Sequence, residues 1–137
     1  MSTHHSEGIT ASAVLLGAIL EDQGDFKTAI KYYKKGMESY PALDDIYWVN
    51  MRIGLCYKAD GNYAHAIKAF QVCLQRGRET GERVKIGWSL LNKGDTLLLQ
   101  GNPTEAEQNL KQAHELFQEV GTTIGVLWST PISRFAI

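Results

Sequence analysis

The stretch GDTLLLQGNPTEAEQNLKQA, residues 94–113, occurs with the same spacing at two earlier places in the chain. Residues 54–73 read GLCYKADGNYAHAIKAFQVC, and residues 17–36 read GAILEDQGDFKTAIKYYKKG. Each copy begins with a glycine and has a second glycine seven positions later, followed after five more by an alanine. The copies start 37 and 40 residues apart. Recurrence at a period of a few tens of residues is typical of a stacked repeat protein.

Each copy has the pattern of two helices joined by a tight turn. Apolar residues recur at three- and four-residue steps on both sides of the second glycine, which favours a helix end and is followed at once by Asp or Asn as the next N-cap. In the third copy, Pro103 at the first helical position and Glu105 three residues after Asn102 fit the rules for a helix start. Asp44 or Asp45 is the predicted cap of the third helix. The pattern predicts helices over residues 9–22, 26–39, 46–59, 63–80, 84–99 and 103–120.

Composition limits the class of protein. A chain of 137 residues with 44% hydrophobic and 21% charged residues is ordinary for one soluble domain, which argues against disorder. The longest apolar run, residues 13–20, is too short to span a bilayer, and residues 1–8 contain no secretory signal and are predicted to be a flexible N-terminus. A cytoplasmic protein follows as the default. The net charge of −1 gives no electrostatic footprint for nucleic acid.

No arrangement of reactive side chains indicates catalysis. Cys56 and Cys73 fit buried, apolar-like cysteines better than a disulfide, and no histidine has a carboxylate or cysteine at ligand spacing. The acidic pairs at 21–22 and 44–45 fit helix ends better than paired catalytic carboxylates. The sequence contains no nucleophile–base set and no phosphate loop. We therefore predict a protein that is not an enzyme and that has no cofactor, catalytic residue or metal site.

The repeated positions resemble the tetratricopeptide repeat (TPR), whose pattern has a small residue at position 8, a large one at 11, alanine at 20, an aromatic at 24 and a small residue at 27. The matching residues are Gly17, Leu20, Ala29, Tyr33 and Gly36; Gly54, Tyr57, Ala66, Phe70 and Cys73; and Gly94, Leu97, Ala106, Leu110 and Ala113. Small residues let paired helices approach closely while large ones wedge between neighbours.

This resemblance implies an all-α fold, a TPR-like α-solenoid of three helical hairpins plus a C-terminal helix, over residues 9–137. The implied repeats lie at about 10–43, 47–80 and 87–120, and residues 122–137 would form a terminal helix or partial repeat. The spacing of 37 and 40 residues exceeds the usual period of about 34. It is similar to the extended repeats of sensor and regulatory proteins in the family.

The resemblance also implies a function. The first helices of TPR hairpins line a concave groove, so we expect a non-enzymatic scaffold that binds a peptide or partner helix. The alternative is a ligand- or peptide-sensing regulatory segment of a larger signalling or transcription protein. The implied groove residues are Trp48, Met51, Arg52, Leu55, Lys58, Trp88, Leu91, Asp95, Leu98 and Trp128.

The three tryptophans of this set recur every 40 residues, and two interpretations are open. Exposed, they would be aromatic anchors for an apolar peptide; otherwise each packs against a neighbouring repeat as core. The family's clamp for dicarboxylate C-termini is not expected, because only Arg52 among the corresponding positions is basic.

Two further surfaces remain open. The lysines of the second helix, Lys27, Lys31, Lys34 and Lys35, form either a solvated face or a contact for an acidic partner. The first helix is apolar around much of its circumference, and the chain ends in ISRFAI. Because solenoids usually need polar terminal caps, this predicts a homo-oligomer formed through the apolar terminal helices, or a chain taken from a longer array.

Overall fold

The structure, a computed structural model, describes residues 3–39 and 46–121. This part of the chain forms six α-helices and no strand, which confirms the all-α prediction. The helices are α1 (Thr3–Asp22), α2 (Phe26–Ser39), α3 (Ile46–Ala59), α4 (Tyr63–Thr80), α5 (Arg83–Leu99) and α6 (Pro103–Val120). None of these helices is long and apolar enough to cross a membrane.

The largest difference from the predicted helices lies at the start of α1. The helix begins at Thr3, so residues 3–8 are helical where the sequence predicts a flexible N-terminus. No proline interrupts this segment, and each residue added to an existing helix completes one more backbone hydrogen bond. The predicted cap at Asp44 or Asp45, the predicted terminal segment 122–137 and Trp128 lie outside the described residues.

The hairpin turns have one shared geometry. Gly24, Gly61 and Gly101 all adopt a left-handed φ, between 79° and 88°. After Gly24, the backbone N–H of Asp25 donates to the carbonyl of Leu20 at 2.9 Å, and the same bond recurs in the other two turns. This is the Schellman ending of a helix, in which the residue after glycine already caps the next helix. The turn leaves almost no loop between the two helices, and α1 packs against α2 and α5 against α6.

The chain divides into two compact units, Met1–Ala69 and Phe70–Ile137, here called the N-terminal and C-terminal units. The boundary falls within α4. In the N-terminal unit, Gly17 of α1 lies against Tyr33 of α2, where an added Cβ would be 2.8 Å from the tyrosine ring. The core of this unit consists of Ala29, Ile30, Tyr33, Val49, Ile53, Cys56 and Ala69. Because Gly17 has no side chain, α1 and α2 can approach closely at this repeated position.

In the C-terminal unit, a glycine on one helix lies against a large side chain on the next at two places. A Cβ at Gly94 would lie 2.9 Å from Cγ of Leu110, and one at Gly87 would lie 2.9 Å from the ring of Phe117. These contacts hold α5 against α6. The core residues of the unit are Leu74, Leu90, Leu91, Leu110, Ala113 and Phe117.

Both cysteines are free thiols buried in the interior. Burial raises the pKa of Cys56 to about 12, with a further contribution from the charge of Glu21, and burial raises the pKa of Cys73 to about 12 as well. A thiol with so high a pKa is protonated and unreactive at neutral pH. The two cysteines thus serve as small core residues, in accordance with the prediction.

Candidate functional site

In the N-terminal unit, one side of α3 carries the residues predicted to line the groove. Trp48, Arg52, Leu55 and Ala59 follow one another at steps of four, three and four residues, so they share a helix face. Trp48 is 54% exposed, Arg52 and Ala59 are exposed, and Leu55 is half-buried. We call this set the α3 face.

Trp48 is exposed on one side and supported on another. Its ring meets the ring of Tyr47 edge-on, with centroids 5.1 Å apart and an interplanar angle of 79°. Tyr47 is itself fully buried, so it is held by the interior of the protein. On the neighbouring first helix, α1, the family resemblance assigns Ala11, Val14, Ala18, Glu21 and Asp22 to the groove; Ala11, Ala18 and Asp22 are exposed, and Val14 and Glu21 are half-buried.

Arg52 is part of a network that joins three helices. Its Nε donates to Oε1 of Glu21 at 3.1 Å, and its Nη2 forms an ion pair with Oε2 of the same carboxylate. The hydroxyl of Tyr33 also donates to Oε1 of Glu21, at 2.8 Å. Glu21 of α1 therefore binds side chains from both α2 and α3.

The network shifts two pKa values. Burial raises the pKa of Tyr33 to about 12, and the hydrogen bond to Glu21 and its negative charge add to this, while Arg52 acts in the opposite direction. Burial by itself would lower the pKa of Arg52, but its hydrogen bond to Glu21 and the attraction of that carboxylate raise it overall. Arg52 is thus a permanent cation whose charge is largely balanced by Glu21.

The sequence reasoning did not find this network. The sequence indicated a helix end for Glu21 and a groove position for Arg52, whereas the structure pairs the two residues across helices. The signal available in the sequence was the opposite charge of Glu21 on α1 and Arg52 on α3, the first helices of successive hairpins. Only the approach of α1 and α3 determines that the two side chains meet.

Two other predicted groove residues of α3 are less accessible. Met51 is buried and belongs to the interior of the N-terminal unit, and Lys58 is half-buried. Met51 is therefore not part of the exposed surface described above.

In the C-terminal unit, α5 carries further predicted groove residues, Trp88, Leu91, Asp95 and Leu98, here called the α5 face. Trp88 is half-buried and its ring meets that of Phe117 edge-on, with centroids 5.1 Å apart. Leu91 is buried in the core of the unit, whereas Asp95 and Leu98 are half-buried. This α5 face is consequently less exposed and less aromatic at its surface than the α3 face.

The lysines of α2 are all exposed. Nζ of Lys34 donates to the hydroxyl of Tyr57 at 3.0 Å and lies 5.5 Å from the centre of its ring, and Lys35 lies over the ring of Tyr32. Lys27 and Lys31 form no ion pair within the described residues. The basic surface is therefore present, but it lies on a helix other than the one bearing Trp48.

The described residues contain no group of three or more His, Cys, Asp and Glu side chains that could hold a metal ion. The polar network at Glu21 has its hydrogen bonds made by Tyr33 and Arg52. Its chemistry is that of a structural link between helices rather than of a site for a reacting group.

Comparisons with known proteins agree with this architecture. One sequence model of the tetratricopeptide repeat matches residues 45–119, more than half of the chain, and a second matches residues 11–43. No curated protein matches the chain.

Among solved structures, the chain is similar to the N-terminal domain of stress-induced protein-1 (STI-1) from C. elegans. The TM-score is 0.72 and the identity is 19%, and the match covers 88% of this chain and 94% of the other. At this identity the likeness shows the fold alone. Repeats of this kind form protein–protein interaction modules. The fold, the repeated positions and the family match lead to one conclusion: the chain belongs to the tetratricopeptide repeat family.

Proposed function

We propose that this interaction module binds a peptide or a partner helix through the exposed faces of its first helices, with the α3 face as the principal contact. The observation that carries the proposal is Trp48, a tryptophan that is 54% exposed at the N-terminal end of the α3 face. Tryptophan is the residue type most enriched among the side chains that dominate binding energy.

The packing of Trp48 supports a role as an anchor. Because the edge-on contact with the buried ring of Tyr47 restrains the indole, binding would cost little side-chain entropy. A large apolar or aromatic side chain of a ligand is the natural partner for such a surface.

Arg52 gives the α3 face a polar contact next to this anchor. Its Nε and Nη2 are engaged by Glu21, whereas its Nη1 takes no part in that ion pair. In our proposal Nη1 donates to a carbonyl or carboxylate of the ligand. Lys58 completes the polar rim. A ligand with an apolar anchor and a neighbouring acceptor fits this arrangement.

The C-terminal unit would make its own, smaller contact. Trp88, Asp95 and Leu98 are each half-buried, so each offers part of its surface to a ligand. Met51 and Leu91 are buried, so in this proposal they pack beneath the α3 face and the α5 face and do not contact the ligand. In this proposal the chain carries out no catalytic step. Its location is the cytoplasm, as predicted from the sequence.

The experiment is selection of binding peptides from a random library on the wild-type chain, followed by titration of the best peptide against variants. We expect Trp48→Ala to weaken binding at least about 30-fold, which corresponds to the 2 kcal/mol that defines a hot spot. The matched control is Val72→Ala, which truncates an exposed apolar residue on α4 in the C-terminal unit. It should leave the dissociation constant unchanged.

Circular dichroism separates loss of binding from loss of fold. Because Trp48 is exposed, its truncation should barely change the helical signal or the midpoint of unfolding. Equal binding by Trp48→Ala and Val72→Ala would overturn the assignment of the α3 face. Failure to select any peptide would overturn the proposal as a whole.

A further inference from the structure

The outward side of α1 is an apolar surface that no other described helix covers. Ile9, Leu15, Leu16 and Ile19 are all exposed there, at 41%, 65%, 43% and 53%. Of these, Leu15 and Ile19 lie farthest around the helix from Ala13 and Gly17, which face α2, while Ile9 and Leu16 flank that buried side. We call Ile9, Ser12, Leu16 and Ile19, with Leu15 at its side, the outer stripe.

The corresponding positions of the second repeat show how such a surface is covered. Leu16 and Ile19 occupy the positions that Ile53 and Cys56 hold 37 residues later in α3. Ile53 is 3% exposed and Cys56 is 0% exposed, because both belong to the core cluster that includes Ile30 and Tyr33 of α2. In the second repeat, therefore, this side of the first helix is covered by another helix.

We propose that a second copy of this chain covers the outer stripe, by antiparallel packing of α1 against α1 of its partner. This surface is separate from the α3 face, so the inference does not depend on the proposed function.

The spacing of the outer stripe favours pairing with itself. Ile9, Ser12, Leu16 and Ile19 follow one another at three, four and three residues, the heptad spacing of helices that pack side by side. In an antiparallel pair with its two-fold axis near residue 14, Ile9 of one copy meets Ile19 of the other, and Leu16 meets Ser12. Each large side chain of the central pair thus has a small one opposite it.

Charge favours the same partner. Residues 8–20 contain no charged side chain, so two copies meet along this length without like-charge repulsion. Glu21 lies beyond this segment and is already engaged by Arg52 and Tyr33. An acidic or basic partner would gain nothing from the outer stripe, whereas an identical one buries apolar surface on both sides.

The number of contacts sets the expected strength. A standard stable interface uses about 20–30 residues on each side, many more than this stripe supplies. We therefore expect a reversible dimer with a dissociation constant on the order of micromolar to tens of micromolar. Sedimentation equilibrium of the whole chain over a range of concentrations should show a monomer–dimer equilibrium.

Leu16→Glu tests the surface. It places like charges in the apolar contact and should weaken dimerisation at least tenfold. The matched control is Val72→Glu, which adds the same charge at an exposed apolar position on α4. It should leave the equilibrium unchanged. Ile19→Glu provides a second variant if Leu16→Glu loses helical circular dichroism, and peptide binding at the α3 face should survive both changes.

The antiparallel register has its own test. Ser12→Cys and Leu16→Cys chains, mixed in equal amounts and oxidised, should form mixed disulfide dimers more readily than either chain forms its own. The native thiols, Cys56 and Cys73, are buried and should not interfere. A preference for either homodimer would overturn the antiparallel register.

Other outcomes would overturn the proposal itself. A chain that stays monomeric at every concentration rejects the second copy as the occupant. Binding of a synthetic α2 segment, residues 26–39, by such a monomer would instead assign the outer stripe to a helix of another hairpin. Equal dimerisation by Leu16→Glu and Val72→Glu would place any dimer contact elsewhere on the molecule.

Discussion

Trp48 in the N-terminal unit and Trp88 in the C-terminal unit occupy corresponding positions of two repeats, yet their surroundings differ. Trp48 is mostly exposed and, within residues 3–39 and 46–121, meets one aromatic ring edge-on, that of Tyr47. Trp88 is half-buried and packs against Phe117 of α6. Two residues that are equivalent by register thus differ in role. Trp48 is a candidate anchor for a ligand, whereas Trp88 packs against the core of the C-terminal unit.

By register, the two tryptophans have large and small residues exchanged at the corresponding positions. In the third repeat, Gly87 precedes Trp88 and leaves space for the ring of Phe117. The corresponding positions of the second repeat, 40 residues earlier, hold Tyr47 and Gly77. A large residue therefore stands before Trp48, and a glycine stands where α6 has its phenylalanine. Function in a repeat protein thus depends on the neighbours of a position as well as on its register.

Phe117→Ala should have the largest effect, because it removes the residue that distinguishes the two tryptophans. Phe117 is fully buried, and truncating such a side chain costs about 3–5 kcal/mol of unfolding free energy. Chemical denaturation would measure this loss, and the fluorescence of Trp88 should shift to longer wavelength as water reaches its ring. Val72→Ala, at an exposed site, is the control. A loss below about 1 kcal/mol would contradict the packing described for the C-terminal unit.

Glu21→Gln tests a feature that only the N-terminal unit has, since the corresponding residues of the later repeats are Lys58 and Leu98. The substitution leaves Arg52 without its balancing charge and weakens the bond from Tyr33. Hydrogen bonds to charged groups contribute about 1.5–3 kcal/mol, and the partial exposure of Arg52 favours the lower end. Glu107→Gln, which breaks an exposed pair with Lys111 on α6, should change the unfolding midpoint little. Equal effects of the two substitutions would argue against a link between helices at Glu21.

Alkaline pH tests the same network through the Tyr33 hydroxyl. The pKa of Tyr33 is raised to about 12 in the folded protein, above its ordinary value of 10.0, so the unfolded chain loses this proton first. Its contribution to stability is fully present below pH 10 and is lost as the pH rises towards 12. Tyr33→Phe should therefore lose less stability than wild type between pH 10 and 12, measured as the urea midpoint. Cys56 and Cys73, whose pKa values are also raised to about 12, lose their protons over the same pH range in wild type and in Tyr33→Phe. Their effect on stability is therefore common to both proteins.

Most of the fold could be predicted from the sequence because its determinants are local. A glycine followed by Asp or Asn determines a helix end and the next helix start within a few residues, as the turns at Gly24, Gly61 and Gly101 show. The predicted bounds of α2, α3, α4 and α6 agree with the structure. The start of α1 was wrong because helix extension over residues 3–8 depends on weak propensities, with no cap or breaker to define it.

The candidate site was less predictable because it depends on contacts between helices. Register assigned Trp48, Arg52 and Leu55 to the groove, but it assigned Met51 and Leu91 to the groove too, and the structure buries both. Met51 and Leu55 are about 40° apart around the helix, yet one is buried and the other half-buried, and only packing fixes that rotation.

The sequence by itself determined which segments are helical, where they turn and that small residues at matched positions pair them into hairpins, since each of these depends on short-range chemistry. Tertiary structure alone decided that Trp48 remains exposed while Trp88 meets Phe117, and that Arg52 is bound by Glu21. The physical reason is that exposure and ion pairing depend on how closely separate helices approach. That distance is set jointly by side chains far apart in the chain.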